Sequence, residues 1–359
     1  MNSTGSAANI AVIGISIMVM LGACATNHAV APVEEAEQDA QYQQEQQYTV
    51  LRGILKMYGA FRGTTENVNI TFQTDFANGN FSVLKNKYGL DAIAGNGDDL
   101  SKSLNILFWV CNHVRHKGNY DNHVPMNALD LLEYSYDKGT EQGLNCLNLS
   151  YIVTECLLSI GIPARTIGIY PFSPYDADNH VITHAYIESL DTWIMLDPTW
   201  CSYIKDADGR ILNILEIRTA IADGRELFLN EEFAYNGEKL STNSERVQFY
   251  KWYMAKNLFY FDTNEVSGFG REDRGRALMI CPAGFNLFEA WMYNLEYRIE
   301  VARTYEGIDE AFRESYITSS TEQLENMRIY AEEQGDAVEK AYLYVSPEDF
   351  LAKPTISHN

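Results

Sequence analysis

Residues 143–163 have the sequence GLNCLNLSYIVTECLLSIGIP, in which a polar start is followed by a long apolar stretch and a Gly-Ile-Pro end. Because asparagine is a favourable N-cap and glycine and proline stop helices, the segment predicts a helix over Asn145–Ile160. Cys146 then lies in the first turn, where unpaired backbone N–H groups and the helix dipole stabilise a thiolate. The sequence therefore indicates Cys146 as a candidate nucleophile.

Three short segments rich in β-branched or aromatic residues follow this helix, separated by turn-forming residues. They predict a small antiparallel sheet with strands at Ala164–Phe172, Val181–Ser189 and Thr192–Leu196. A hairpin centred between Leu190 and Asp191 would place His184 directly opposite Asp197, with Cβ atoms about 4.5 to 5.5 Å apart. At that separation the carboxylate can accept a hydrogen bond from the imidazole ring.

These three side chains are chemically sufficient for acyl transfer. Cys146 would attack an amide carbonyl, His184 would protonate the leaving amine, and Asp197 would hold the imidazole ring. Each residue alone is more often structural, because cysteines in helices and histidines in strands commonly pack in cores, and an Asp-Pro pair is commonly a turn. It is the combination that predicts a catalytic site.

The same stretches resemble the transglutaminase-like superfamily, whose core has a cysteine at the start of a helix, then a histidine and an aspartate on neighbouring strands. The similarity covers roughly residues 100 to 200. The matching segments are Gly143-Leu144-Asn145-Cys146, Gly161-Ile162-Pro163-Ala164-Arg165, His184-Ala185-Tyr186-Ile187-Glu188 and Trp193-Ile194-Met195-Leu196-Asp197-Pro198-Thr199. The resemblance implies an α+β fold with a papain-like or transglutaminase-like core and a nucleophile helix packed on a small antiparallel sheet. It also implies that the family's triad falls on Cys146, His184 and Asp197.

The resemblance leaves the reaction open, because this superfamily includes protein cross-linkers, peptide and glycopeptide amidases, cysteine proteases and members that have lost catalysis. Animal transglutaminases have Gln before the nucleophile and an aromatic residue after it, whereas Asn145 and Leu147 flank the cysteine here. This departure argues against animal-type cross-linking. The side chain that completes the oxyanion hole is not assigned, with Gln142 and Trp109 as equal candidates.

Three functions follow from these residues. The first is a thiol-dependent hydrolase of amide or peptide bonds, because water is the default acceptor for an acyl-enzyme. Its substrate would be a peptide, protein or glycopeptide. The second is a non-catalytic surface module that binds a peptide or glycan in the same groove. The third is transglutamination, which requires a groove that admits a lysine side chain in preference to water.

The charge of the chain restricts its partners. With 49 acidic and 27 basic residues, the formal net charge is -22. Such a surface repels phosphate backbones and anionic lipid headgroups. We therefore expect no nucleic-acid partner and no membrane contact other than through an anchor.

An apolar stretch at Ile10–Leu21 is too short to span a bilayer comfortably and predicts a signal peptide over residues 1–23. It ends in Leu21-Gly22-Ala23-Cys24, which resembles a bacterial lipobox with Cys24 as the lipidated residue. One departure is that no Lys or Arg precedes the apolar stretch, since the first such residue in the chain is Arg52. We expect an exported protein, lipid-anchored to the bacterial cell envelope, with residues 24–50 as an acidic, Gln-rich solvated tether.

We expect the remaining chain to form one domain. Residues 51–200 would be a transglutaminase-like catalytic core with N-terminal helices, and residues 201–359 a C-terminal extension of it. Apolar spacing predicts packing helices at Tyr48–Tyr58, Leu100–His116 and Met126–Tyr136. Beyond residue 200 the predicted elements are helices at Leu215–Ala222 and Val247–Phe261, a strand at Ala277–Cys281 and a hairpin at Glu289–Thr304.

Without Cys24, five cysteines remain, and this odd number leaves at least one thiol unpaired in the monomer. Cys111, His113 and His116 lie close enough in sequence to suggest a metal site, but a helix explains their spacing and a second ligand cluster is not evident. Asp206-Ala207-Asp208-Gly209 resembles part of a calcium loop, although a hairpin turn accounts for it better. We expect neither a metal nor a cofactor.

Overall fold

A computed structural model describes residues 33–74, 79–139, 141–240, 242–271, 274–304 and 310–357. The predicted signal peptide and Cys24 lie outside these residues. The helices are α1 (Val33–Met57), α2 (Gly79–Tyr88), α3 (Leu90–Ala94), α4 (Asp99–His113), α5 (Ala128–Ser135), α6 (Cys146–Ser159), α7 (Ile214–Asp223), α8 (Asn243–Asn257), α9 (Leu287–Thr304), α10 (Glu310–Gln334) and α11 (Pro347–Phe350).

The strands are β1 (Thr71–Gln73), β2 (Ala164–Tyr170), β3 (His180–Ile187), β4 (Thr192–Leu196), β5 (Ile204–Lys205), β6 (Phe228–Leu229), β7 (Tyr260–Asn264), β8 (Val266–Ser267), β9 (Ala277–Ile280), β10 (Leu343–Tyr344) and β11 (Thr355–Ser357). A six-stranded sheet with the order β10-β9-β7-β2-β3-β4 lies at the centre. Its pairs are antiparallel except for β9 and β10. The α+β fold class is confirmed.

Helix α6, which begins at Cys146, packs on one face of this sheet, as predicted. Ala185 and Ile187 of β3 are buried together with Ile152 of α6. The Ser150 hydroxyl of α6 donates to the carbonyl of Val181 at 2.9 Å. Because apolar contact and a hydrogen bond both join α6 to β3, the start of the helix has a fixed position relative to the first residues of that strand.

The opposite face of the sheet is covered by α1 and by helices that follow β4 in the chain. Ile182 of β3 is buried in one apolar cluster with Leu55 of α1, Ile217 of α7 and Met254 of α8. The segment after residue 200 also adds β7 beside β2, where an added Cβ at Gly168 would lie 2.0 Å from Asp262 Oδ1. A side chain at position 168 would therefore displace the Asp262 carboxylate or the Tyr170 ring.

The helices predicted around residues 100–116, 145–160 and 215–222, the three strands after α6 and the strand near 277 are all present, within a few residues of the expected ends. The expected turn is also confirmed, because the Gly209 N–H donates to the Asp206 carbonyl at 3.0 Å. Among the described residues, no helix combines the length and apolar character that crossing a bilayer requires.

Two predicted segments differ from the structure. Residues 33–50, predicted as a tether, form the first part of α1, because Glu, Gln and Ala favour helix even where the surface is polar. The predicted hairpin at 289–304 is wrong, since this segment is helix α9. Its buried residues Leu287, Trp291, Leu295 and Ile299 recur every four positions, which is the helical period.

The β3–β4 hairpin has a longer loop than predicted, and this changes the register. A 3-10 turn at Glu188–Leu190 and the left-handed Asp191 (φ 49°) connect the strands. Ile187 therefore pairs with Thr192, and His184 pairs with Met195. The predicted cross-strand pairing of His184 with Asp197 is wrong by two residues, because the loop contains two residues more than the sequence suggested.

Candidate active site

Cys146 is the first residue of α6, and the side chain before it caps the helix. Asn145 Oδ1 accepts the Asn148 N–H at 3.1 Å, as expected of an N-cap residue. Asn122 Oδ1 in turn accepts hydrogen bonds from the side-chain amides of Asn145 and Asn148, both at 3.0 Å. The Cys146 side chain is only 5% exposed. The thiol is thus held at a helix N-terminus in a nearly closed environment.

His180, the first residue of β3, is the histidine that contacts both the thiol and a carboxylate. Its Nε2 lies 2.8 Å from Asp197 Oδ2, and both side chains are buried. The imidazole also makes a side-chain hydrogen bond with Cys146. The structure therefore brings together Cys146, His180 and Asp197.

Asp197 directly follows β4 and accepts hydrogen bonds from several groups besides His180. Tyr250 Oη donates to Oδ2 at 2.6 Å, while Oδ1 accepts the N–H groups of Thr199 at 3.0 Å and Trp200 at 3.3 Å. A buried carboxylate is costly unless such donors surround it. These bonds fix the carboxylate in the orientation that it presents to the imidazole.

His184 is buried elsewhere, and its predicted role as the base is corrected. Its ring stacks between Trp193 and Phe350, with centroid distances of 5.3 and 5.7 Å, and its Nε2 accepts the Ile214 N–H at 3.4 Å. Burial, and then the nearby Arg165 guanidinium, lower the pKa of His184 well below its ordinary value. It is a neutral side chain of the core.

A second histidine, His116, reaches the thiol from the loop after α4 and makes a side-chain hydrogen bond with Cys146. Its Nδ1 lies 2.9 Å from Tyr235 Oη, and its backbone N–H donates to Asn236 Oδ1 at 2.7 Å. The Asn236 amide also donates to the His116 carbonyl at 3.1 Å. The turn that begins at Tyr235 therefore fixes this ring.

The charges of the site favour a thiolate–imidazolium pair. Burial raises the pKa of Cys146, but the hydrogen bonds from His116 and His180 outweigh it and lower this pKa to about 6. Burial alone would lower the pKa of His180, whereas the charge and hydrogen bond of Asp197, followed by Cys146, raise it to about 10. Between these values the pair is charged, and the two macroscopic pKa values belong to it jointly.

Residues 87–198 match the family model of the Transglutaminase-like superfamily. This range contains α6, both histidines that contact the thiol, and Asp197. The segment belongs to the transglutaminase-like superfamily. Tyr235 and Tyr250, which contact His116 and Asp197, lie beyond its end.

Two solved structures are similar to parts of the chain. A provisionally named cysteine protease from Cytophaga hutchinsonii is 22% identical over 39% of this chain and 43% of its own, with a TM-score of 0.26. A provisionally named protease from Parabacteroides distasonis is 15% identical over 32% of this chain and 25% of its own, with a TM-score of 0.22. The chain thus spans less than half of either protein. A comparison with curated proteins found no match.

Of the residues that the structure brings together, sequence reasoning had named Cys146 and Asp197 but not the two histidines. His180 and His184 lie on the same face of β3 by alternation, so the choice between them depended on the length of the β3–β4 loop. His116 was considered only as a metal ligand on a helix, whereas α4 ends at His113. The sequence did contain one signal for His180 as an alternative base. Like His184, it precedes Asp197 on the same hairpin.

The two oxyanion candidates lie in other surroundings. Gln142 is exposed in the loop before α6. Trp109 packs against Tyr88 and Tyr136 on the outer part of α4, with ring centroids 6.1 and 5.4 Å away. The side chains whose hydrogen bonds lower the pKa of Cys146 are His116 and His180.

The structure also shows the state of the cysteines and the surroundings of the residues considered as metal ligands. Cys111, Cys156, Cys201 and Cys281 are free thiols, and Cys146 is likewise outside any disulfide. Among the described residues, no three His, Cys, Asp or Glu side chains are grouped so that they could hold a metal ion. Exposed His113 lies with its Nδ1 2.7 Å from the Trp109 carbonyl rather than beside His116.

Proposed function

We propose that the protein is a thiol-dependent hydrolase of amide or peptide bonds, with Cys146 as nucleophile, His180 as acid and base, and Asp197 as the group that orients His180. The observation that carries this proposal is the buried arrangement in which His180 contacts both the thiol and the carboxylate. The membership of residues 87–198 in the transglutaminase-like superfamily agrees with it.

The reaction begins with attack of the Cys146 thiolate on the carbonyl carbon of the amide. The His180 imidazolium gives its proton to the amine nitrogen as the C–N bond breaks, which leaves a thioester on Cys146. Water then attacks the thioester, and neutral His180 accepts its proton. Release of the acid regenerates the thiolate and the imidazolium, so atoms and charges balance.

His116 and the start of α6 supply further donors near the sulfur. The backbone N–H groups at a helix N-terminus can stabilise an oxyanion at the attacked carbonyl. We assign to His116 the role of holding the thiolate, because Tyr235 and Asn236 fix its position. In this proposal neither Gln142 nor Trp109 takes part.

The test is product analysis with a library of peptides and amides, in the presence of a labelled primary amine. We expect release of free amine from the substrates, with water as the acceptor, and no release by a Cys146→Ala variant. Incorporation of the labelled amine in preference to hydrolysis would instead establish transglutamination. Saturable binding of a peptide or glycan without turnover would establish the non-catalytic module and overturn the proposal.

We propose separately that the protein is exported and anchored to the cell envelope by a lipid on Cys24. The support is sequence alone, namely the apolar stretch and the Leu21-Gly22-Ala23-Cys24 motif. Mass spectrometry of the mature N-terminus in a bacterial host should show a chain that begins at a diacylated Cys24. An unmodified peptide that continues through this cysteine would contradict the anchor.

A further inference from the structure

A cavity of about 210 Å³ lies between the end of α4, the loop after Asp197 and the segment from Ala234 to Lys239. His116 lines this cavity and also makes the hydrogen bond with Cys146. Pro198 and Thr199, which follow the carboxylate, form another part of its wall. The same side chain, His116, therefore contacts both the cavity and the Cys146 sulfur.

The buried part of the cavity wall has an apolar side, and His116 and Thr199 are its buried polar members. Val114, Cys201 and Ala234 are 4%, 6% and 8% exposed, and a free cysteine behaves as a small hydrophobic residue. The rim carries exposed Glu232 and Lys239, whose opposite charges favour neither sign of ligand. Because burial of an unpaired charge is costly, the interior suits an uncharged side chain.

The volume limits the occupant to one side chain. Engineered protein cavities of about 150 Å³ accommodate benzene. Pockets for whole drug-sized ligands begin at about 300 Å³. A volume between these two fits a side chain of the size of leucine or methionine.

We propose that this cavity is the specificity pocket of the enzyme and takes a medium-sized apolar side chain from the residue next to the scissile bond. The proposal rests on the proposed function, since it names the substrate class of the same site. It assigns Val114, Cys111, Cys201 and Ala234 a role in selection and none in chemistry.

Peptides that differ only in the residues flanking the bond test this pocket. For the wild type we expect kcat/KM to be at least about 10-fold higher with leucine than with glycine, since one methylene in a hydrophobic pocket is worth 10-fold or more. Glutamate and lysine should be disfavoured alike. Ala234→Leu fills the cavity and should lower kcat/KM for the leucine peptide at least about 10-fold, to that of the glycine peptide.

Two further variants keep the result interpretable. Cys111→Leu fills the cavity from the α4 wall, so it should have the same effect if Ala234→Leu fails to fold. Ala352→Leu makes the identical change at an exposed alanine outside the cavity and should leave the preference unchanged. Unaltered leucine selectivity in both cavity variants would overturn the pocket.

A binding measurement separates failure of the pocket from failure of the proposed function. In the Cys146→Ala protein, calorimetry should show that acetyl-leucine amide binds at least about 10-fold more tightly than acetyl-glycine amide, and that Ala234→Leu abolishes the difference. If the leucine amide binds more tightly but the wild type turns over no substrate, the hydrolase proposal is refuted and the pocket proposal stands. Equal binding of the two amides would refute the pocket, whatever the turnover.

Discussion

His180→Ala is expected to lower kcat/KM by on the order of 10⁴- to 10⁶-fold, because the loss of the acid and base of a triad costs nearly as much as the loss of the nucleophile. Without the ring, the leaving amine has no proton donor and the thiolate loses one of its two imidazole partners. Peptide hydrolysis by the purified variant measures the effect directly.

The same variant should change the acidity of the thiol. In the wild type, the rate of iodoacetamide alkylation of Cys146 should rise as the pH passes about 6, since its thiolate forms there. Hydrolysis should rise over the same range and fall as the pH passes about 10, where His180 loses its proton. In His180→Ala the burial of the sulfur is offset by His116 alone, so the alkylation midpoint should move to higher pH.

The matched control is His184→Gln, which removes the other imidazole of β3. This change should lower the melting temperature, because the ring that stacks between Trp193 and Phe350 is lost. The alkylation midpoint should stay near pH 6. If His184→Gln shifted this midpoint and His180→Ala did not, the assignment of the base would be reversed.

Asp197→Asn is expected to lower kcat by about 10⁴-fold while largely preserving the shape of the site, as the equivalent change does in serine proteases. The amide can present its N–H₂ group to His180, which favours the wrong tautomer of the ring. The loss of the negative charge should also lower the pKa of His180, because the charge of Asp197 raises it. The alkaline limit of hydrolysis should therefore move to lower pH.

Tyr250→Phe is the control for this variant. It removes one donor to the carboxylate but leaves the charge and the bond to His180 in place. The loss of activity should be much smaller than with Asp197→Asn, and the alkaline limit should stay within the same pH range. A similar loss in both variants would mean that the packing around the carboxylate, rather than its charge, controls the activity.

The residues of the candidate site that the sequence suggested and the structure brings together are those set by local structure. The position of Cys146 follows from a cap and an apolar period within one helix, and Asp197 follows from the end of one strand. The choice between His180 and His184 depended on the conformation of the four loop residues 188–191. A single left-handed residue and a short turn there shift every later pair by two positions.

Contacts between distant segments could not be predicted from local patterns. His116 meets Tyr235 119 residues later, and Asp197 meets Tyr250 53 residues later. The sheet was underestimated for the same reason, since β7, β9 and β10 come from the segment beyond residue 200 that has no motif of its own. Sequence therefore predicted the fold class and two members of the site, and tertiary structure supplied the rest.

The position of Tyr250 has a consequence for dissecting the protein. The stretch that the family shares ends at residue 198, yet its aspartate is anchored by a phenol from α8 and its central strand is flanked by β7. Excision of that stretch as an autonomous fragment would leave a charged group without its support and a sheet edge open to self-association. We therefore expect the smallest unit that folds to extend beyond the matched stretch, at least through α8 and β7.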